Sequence, residues 1–250
     1  MSIHGALRLN AKGRKTVSLL VLFTLVLALV LPGQAQAASG TDATRPLPVG
    51  NYVLGTLSAA WWRYALETPA DSNPLYDVTG ANCAARQSGP IFFLVGTSGS
   101  GVATRDECQV PRGRLLFFPV ANAFDVHTPG DGLDTPGLVW NDLQVTLGFA
   151  VTSLNASIDG VPVRGLDPNS PRYRGCVGPD RACGPRWFSL NFPAGNLFGL
   201  DAGRYAPAVA DGYYLLLPPL KSGKHTIVFG GSGNLGEAFT QSTTYHLTVS

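Results

Sequence analysis

Apolar and polar positions along this chain alternate or cluster in short blocks, set apart by turn-forming residues. Leu154, Ala156 and Ile158 alternate with Asn155, Ser157 and Asp159, the period of two expected of a half-buried strand. Asp159-Gly160 then predicts a tight hairpin into Val161, Pro162 and Val163. In the last block, residues 243–249, Tyr245, Leu247 and Val249 alternate with Thr244, His246 and Thr248. Other blocks are apolar throughout, residues 91–95, 115–118 and 213–217, and in residues 226–229 an apolar run follows Thr226. Their β-branched and aromatic content predicts buried strands, with 213–217 a central one. Residues 187–190 form a further candidate strand.

Two stretches carry helical spacing. Leu57, Ala60, Trp61, Tyr64 and Ala65 form one stripe, which predicts a helix over 56–66, capped by Thr56 or Ser58 and stopped by Pro69. Pro136 suits the first position of a second helix, in which Val139, Trp140, Leu143 and Leu147 share a face. Residues 96–101 and 124–135 read as loops. Short strands with frequent turns predict a mainly β fold: an antiparallel β-sandwich, jelly-roll-like or immunoglobulin-like, with one or two short added helices. No repeat and no shift in composition marks a linker, so residues 38–250 are expected to form a single domain.

The N-terminus changes the picture. Basic residues between Arg8 and Lys15 precede an apolar run from Val17 to Leu31, and Pro32-Gly33 and Ala35-Gln36-Ala37 follow. This is the layout of a Sec-type secretory signal peptide, cleaved after residue 37. The run falls short of the roughly 20 apolar residues of a membrane span, so no stable anchor is expected after cleavage. Removing residues 1–37 also removes four of the 18 Lys and Arg, which leaves 14 against 16 Asp and Glu. With its arginines scattered, the chain lacks the basic cluster that a nucleic-acid binder needs. A hydrophobic content of 45% with 14% charged residues excludes disorder for most of the length.

Export to a secreted or periplasmic location bears on the cysteines. Cys83, Cys108, Cys176 and Cys183 are even in number, and an oxidising compartment favours disulfides. Three connectivities are open. Cys83–Cys108 with Cys176–Cys183 is favoured, because the second pair closes a short, turn-rich segment and the first would tie the ends of a strand pair. The absence of Cys-x-x-Cys weighs against zinc.

The richest polar cluster is Asp125, His127, Asp131 and Asp134. Its oxygen ligands would suit calcium, although the alternating spacing of a calcium loop is missing, and a solvated loop with turn-capping Asp residues explains it as well. No other cofactor is expected. Gly231-Ser-Gly-Asn-Leu-Gly236 matches a dinucleotide fingerprint, yet the helix and second strand that the pattern requires cannot follow; a glycine-rich hairpin loop is the simpler reading. His225 and His246 fall on opposite faces of the last strand pair, which argues against a triad using both. Trp61 and Trp62 are adjacent on one helix and are not expected to face the core together. One of them, or Tyr64, is therefore a candidate stacking surface for a sugar.

Several segments then stand together: Trp61-Trp-Arg-Tyr-Ala-Leu66, Asn73-Pro-Leu75, Thr79-Gly-Ala-Asn-Cys83, Gln87-Ser-Gly-Pro-Ile-Phe-Phe-Leu94, Leu115-Leu-Phe-Phe-Pro119, Pro207-Ala-Val-Ala-Asp-Gly-Tyr213 and Lys224-His-Thr-Ile-Val-Phe-Gly230. Across most of the mature chain this set resembles a family of secreted bacterial proteins of unassigned function. The resemblance implies a bacterial exported protein and transfers no catalytic residue. The function expected is non-catalytic binding of an unknown ligand, a glycan or a surface component, at or outside the cell surface. The alternative is a secreted hydrolase that depends on carboxylates or a metal.

Overall fold

The computed structural model describes residues 44–250; the expected signal peptide, residues 1–37, lies outside the described residues. The chain runs α1 (Asn51–Leu66), β1 (Ile91–Phe93), β2 (Gly101–Arg105), β3 (Gln109–Val110), β4 (Leu115–Val126) and α2 (Pro136–Asn141), which continues into a π-helical turn, Asp142–Thr146. It then follows β5 (Ala150–Ile158), β6 (Val161–Pro162), β7 (Phe188–Phe192), β8 (Gly203–Leu217), β9 (Gly223–Leu235) and β10 (Glu237–Val249). One sheet has the order β1-β4-β8-β7; the other runs β2-β10-β9-β5-β6, with β3 also on β10. The two sheets form a β-sandwich. Most neighbours are antiparallel, but β1 on β4, and β2 and β3 on β10, are parallel. Between β1 and β4 the chain crosses to the second sheet, the connection that parallel neighbours require.

Phe118, Leu215, Ile227, Phe229, Tyr245 and Leu247 meet between the sheets. On the opposite face of the first sheet, Phe117, Tyr214 and Leu216 pack against Trp61 and Trp62 of α1. Both faces of β8 are therefore covered, which accounts for its unbroken burial from Ala208 to Leu217.

The strands outrun their apolar blocks. β4 passes through Pro119 because the register with β8 slips between Pro119 and Ala121, and β1 reaches only as far as Phe117. A proline is tolerated at such a bulge, where a ladder donor is already missing. As a result Phe124 and Asp125, expected in a loop, belong to β4. The glycines of the dinucleotide-like segment lie inside β9, and only the turn at Gly236 is a hairpin connection. Gly233 faces the backbone so closely that a Cβ there would stand 2.1 Å from the carbonyl oxygen of Ala150.

α1 also begins earlier than its apolar stripe. Gly50 is its N-cap, with no side-chain cap, while Thr56 bonds back to the carbonyl of Tyr52 and Ser58 to the hydroxyl of Tyr214. Its outer side is covered by the Cys176–Cys183 loop. A Cβ on Gly55 would lie 2.3 Å from the carbonyl oxygen of Cys176, so only glycine lets this loop settle on the helix.

Candidate functional site

Both favoured disulfides are present: Cys83–Cys108 and Cys176–Cys183, with Cα separations of 5.5 and 4.7 Å. Beside the first, Arg105 is 2% exposed. Its guanidinium donates to the carbonyls of Asp77, Val95, Pro74 and Gly96 and lies over the Tyr245 ring. The Asp77 carboxylate accepts from the N–H groups of Thr79, Gly80 and Asn82. These contacts hold the loop before Cys83 in place, and the sequence pattern carried no sign of them beyond a charged residue ending β2.

The acidic cluster gathers where β4 leaves the sandwich. Here the interior face of the first sheet runs past the second sheet and is covered by α2 and the π-turn through Val139 and Leu143, which pack on Ala123 and Val209. Thr135 caps α2 by accepting from the N–H of Leu138. Asp125, His127 and Asp131 are each 2% exposed or less, whereas Asp134 has a half-exposed side chain. Three members of the expected solvated loop are thus interior.

His127 Nδ1 lies 2.7 Å from Asp131 Oδ1, and its Nε2 lies 3.6 Å from Asp134 Oδ1. Asp131 also accepts from the N–H and hydroxyl of Thr128 and the N–H of Leu133. Both of its oxygens are therefore engaged in shaping the turn, the work that Asp does in such loops. Burial holds His127 below the usual imidazole range, against the opposing pull of Asp131 and Asp134.

Asp125 behaves differently. One oxygen accepts from the N–H of Val126. Burial pushes its carboxyl up to about 8; the Val126 N–H opposes this, and the charges of Asp142 and Asp131 and a hydrogen bond with Asp142 add to it. Asp125 Oδ2 and Asp142 Oδ2 are both buried, and two carboxylates can only accept. A proton that burial keeps on Asp125 gives that carboxyl a donor to offer Asp142. Asp142 comes from the π-turn, a local geometry often found at functional sites.

A third carboxylate completes this end of the sheet. Asp211, on β8 opposite Ala123, is 2% exposed. It receives Arg174 Nε and Nη2 at 3.0 and 2.6 Å, the N–H of Gly212 at 2.8 Å and Gln144 Nε2 at 3.1 Å. Its one sequence signal was an acid inside the otherwise apolar run of β8.

Among the described residues, no three His, Cys, Asp or Glu side chains are grouped so as to hold a metal ion. The aromatic candidates are inside as well. Trp61, Trp62 and Tyr64 are 2, 7 and 8% exposed. Trp61 Nε1 donates to the carbonyl of Leu94, Trp62 packs at a tilt against Phe124, and the Tyr64 hydroxyl donates to the carbonyl of Cys83. Adjacent tryptophans can both be buried because α1 is covered from two sides, by the sheet and by loops. His225 and His246 do lie on opposite faces of the β9–β10 pair, each beside its own acid, Asp159 and Asp106. Among the described residues, no helix is long and apolar enough to cross a membrane. No protein-family model, curated protein or solved structure matches the chain.

Proposed function

We propose that the chain is an exported, disulfide-stabilised β-sandwich, secreted or periplasmic, that acts outside the cytoplasm as a non-catalytic binding protein. The observation that carries this reading is the pairing of all four cysteines across two loops, which an oxidising compartment would maintain. A Sec-type signal peptide over residues 1–37 and the resemblance to secreted bacterial proteins of unassigned function support the same reading. So does the commitment of His127, Asp131 and Asp211 to internal hydrogen bonds, which serve the fold.

Two measurements test it. N-terminal sequencing and thiol titration of the native protein should give a start at Ala38 and no free thiol; a start at Met1 with four thiols overturns export. A glycan array and a thermal-shift screen of envelope components should return a ligand. Calcium in the same screen tests residues 125–134, and a shift that Asp131→Ala abolishes overturns the cofactor-free reading.

One observation favours a second reading, a secreted carboxylate-dependent hydrolase. Burial raises the Asp125 carboxyl to about 8 with the buried Asp142 carboxyl among the causes, the kind of environment an acid–base dyad uses. That reading requires hydrolysis of a glycoside or peptide panel that Asp125→Asn abolishes.

A further inference from the structure

β7 ends the first sheet, with β8 as its neighbour on one side. Phe188, Leu190 and Phe192 alternate along it and are buried in the layer that α1 covers. An apolar strand at the end of a sheet is a template on which another extended chain can pair. On β7, however, side chains take the outward backbone groups. Arg63 Nε donates to the carbonyl of Ser189 at 3.0 Å, and the N–H of Asn191 donates to Glu67 Oε1 at 2.8 Å. The side-chain amide of Asn191 also donates to Glu67 Oε1, at 3.3 Å.

Both plugs are themselves held. The Arg63 guanidinium lies 5.5 Å from the centre of the Phe188 ring. Glu67 is the C-cap of α1; its N–H donates to the carbonyl of Arg63, and its own carbonyl accepts from Arg86. The four-residue spacing of Arg63 and Glu67 places them together at the end of the helix, where they meet alternate residues of the strand.

The opposite end of the sheet is closed in the same manner. Gln87 accepts from the N–H of Phe93 and donates to its carbonyl. The N–H of the next outward residue, Val95, donates to the Tyr245 hydroxyl, and its carbonyl accepts from Arg105. The second sheet has other devices. β5 carries a register slip between Val151 and Ser153, and β6 beside it is two residues long and contains Pro162. Bulges and prolines both discourage strand addition.

We propose that Arg63 and Glu67 keep the chain from pairing with a second copy of itself through β7. A second copy fits this edge because it brings the same outward donor and acceptor at the same spacing. Two β7 strands, antiparallel about a two-fold axis, would satisfy both sets reciprocally. The proposal stands independently of the binding reading.

The test is sedimentation velocity of the oxidised protein over a range of concentrations, with amide exchange at Asn191. The parent should sediment as a monomer. Arg63→Ala with Glu67→Ala, a pair of changes that leaves the net charge unaltered, should give a dimer that grows with concentration. In that dimer the exchange of the Asn191 N–H should slow by about tenfold or more from low to high concentration. Adding Asn191→Pro removes the donor that the second copy would use and should return the double variant to a monomer. If the double variant fails to fold, Glu67→Ala alone, which leaves Arg63 over Phe188, carries the same expectation for Asn191 exchange. A folded variant that stays monomeric at every concentration overturns the proposal. So does a dimer that survives Asn191→Pro, or a parent that already pairs through β7.

Discussion

Asp125 ties one side chain to a measurable pH dependence. Its carboxyl is held near 8 in the folded chain, far above the usual carboxylate value of about 4. The folded state therefore binds a proton there that the unfolded state has released between roughly pH 4 and 8. This contribution to stability is complete below about pH 4 and is lost as the pH rises through about 8. Asp125→Asn can donate to Asp142 at any pH. Its unfolding temperature should thus fall less steeply than the parent's from pH 4 to 9, and should exceed the parent's at pH 8. Parallel curves in thermal scans across that range would rule out the raised Asp125 carboxyl. Arg105 is the second residue with a large expected effect. Arg105→Met leaves the carbonyls of Asp77, Pro74 and Gly96 short of a donor, while Val95 keeps the Tyr245 hydroxyl, at about 1–3 kcal/mol for each one left unsatisfied. A total loss of more than about 3 kcal/mol is expected in urea unfolding.

At the scale of elements, α1 is the piece whose surroundings decide most. Helix propensity alone makes Gly55→Ala favourable by about 1 kcal/mol. The methyl group, however, would lie 2.3 Å from a backbone oxygen of the disulfide loop, and relieving such overpacking costs about 1–3 kcal/mol. The clash should win, with a net loss of stability in chemical denaturation; a gain would mean that the loop does not rest on the helix. The same covering explains why both tryptophans are buried. A stripe read from spacing assumes one buried side, and α1 has the sheet on one side and residues 175–184 on the other. β4 teaches a similar lesson. Pro119 ends a strand in the sequence pattern, but the short reach of β1 leaves room for a bulge, and the strand carries Asp125 on to the end of the sheet.

For the whole molecule, the two disulfides brace loops of different length. Cys83–Cys108 spans 25 positions and Cys176–Cys183 spans 7. In the chain-entropy model these contribute about 3 and about 2 kcal/mol. Replacing the first pair with alanine should accordingly lower the unfolding temperature more than replacing the second, as differential scanning calorimetry would show. Much of this architecture was legible beforehand: the strand blocks, the hairpin at Asp159-Gly160, the helix after Thr135 and the cysteine pairing. These depend on neighbours within a few residues, or on the small number of ways in which four cysteines can pair. The parallel pairs, the bulge at Pro119 and the inward turn of Asp125 and His127 were not legible, nor was the meeting of Asp125 with Asp142 or of Asp211 with Arg174. Each joins positions far apart along the chain, or depends on which layer covers a strand end. Local periodicity records that a side chain alternates or is apolar. Whether a polar group faces water or another acid is decided only when the sheets, α2 and the loops close over it.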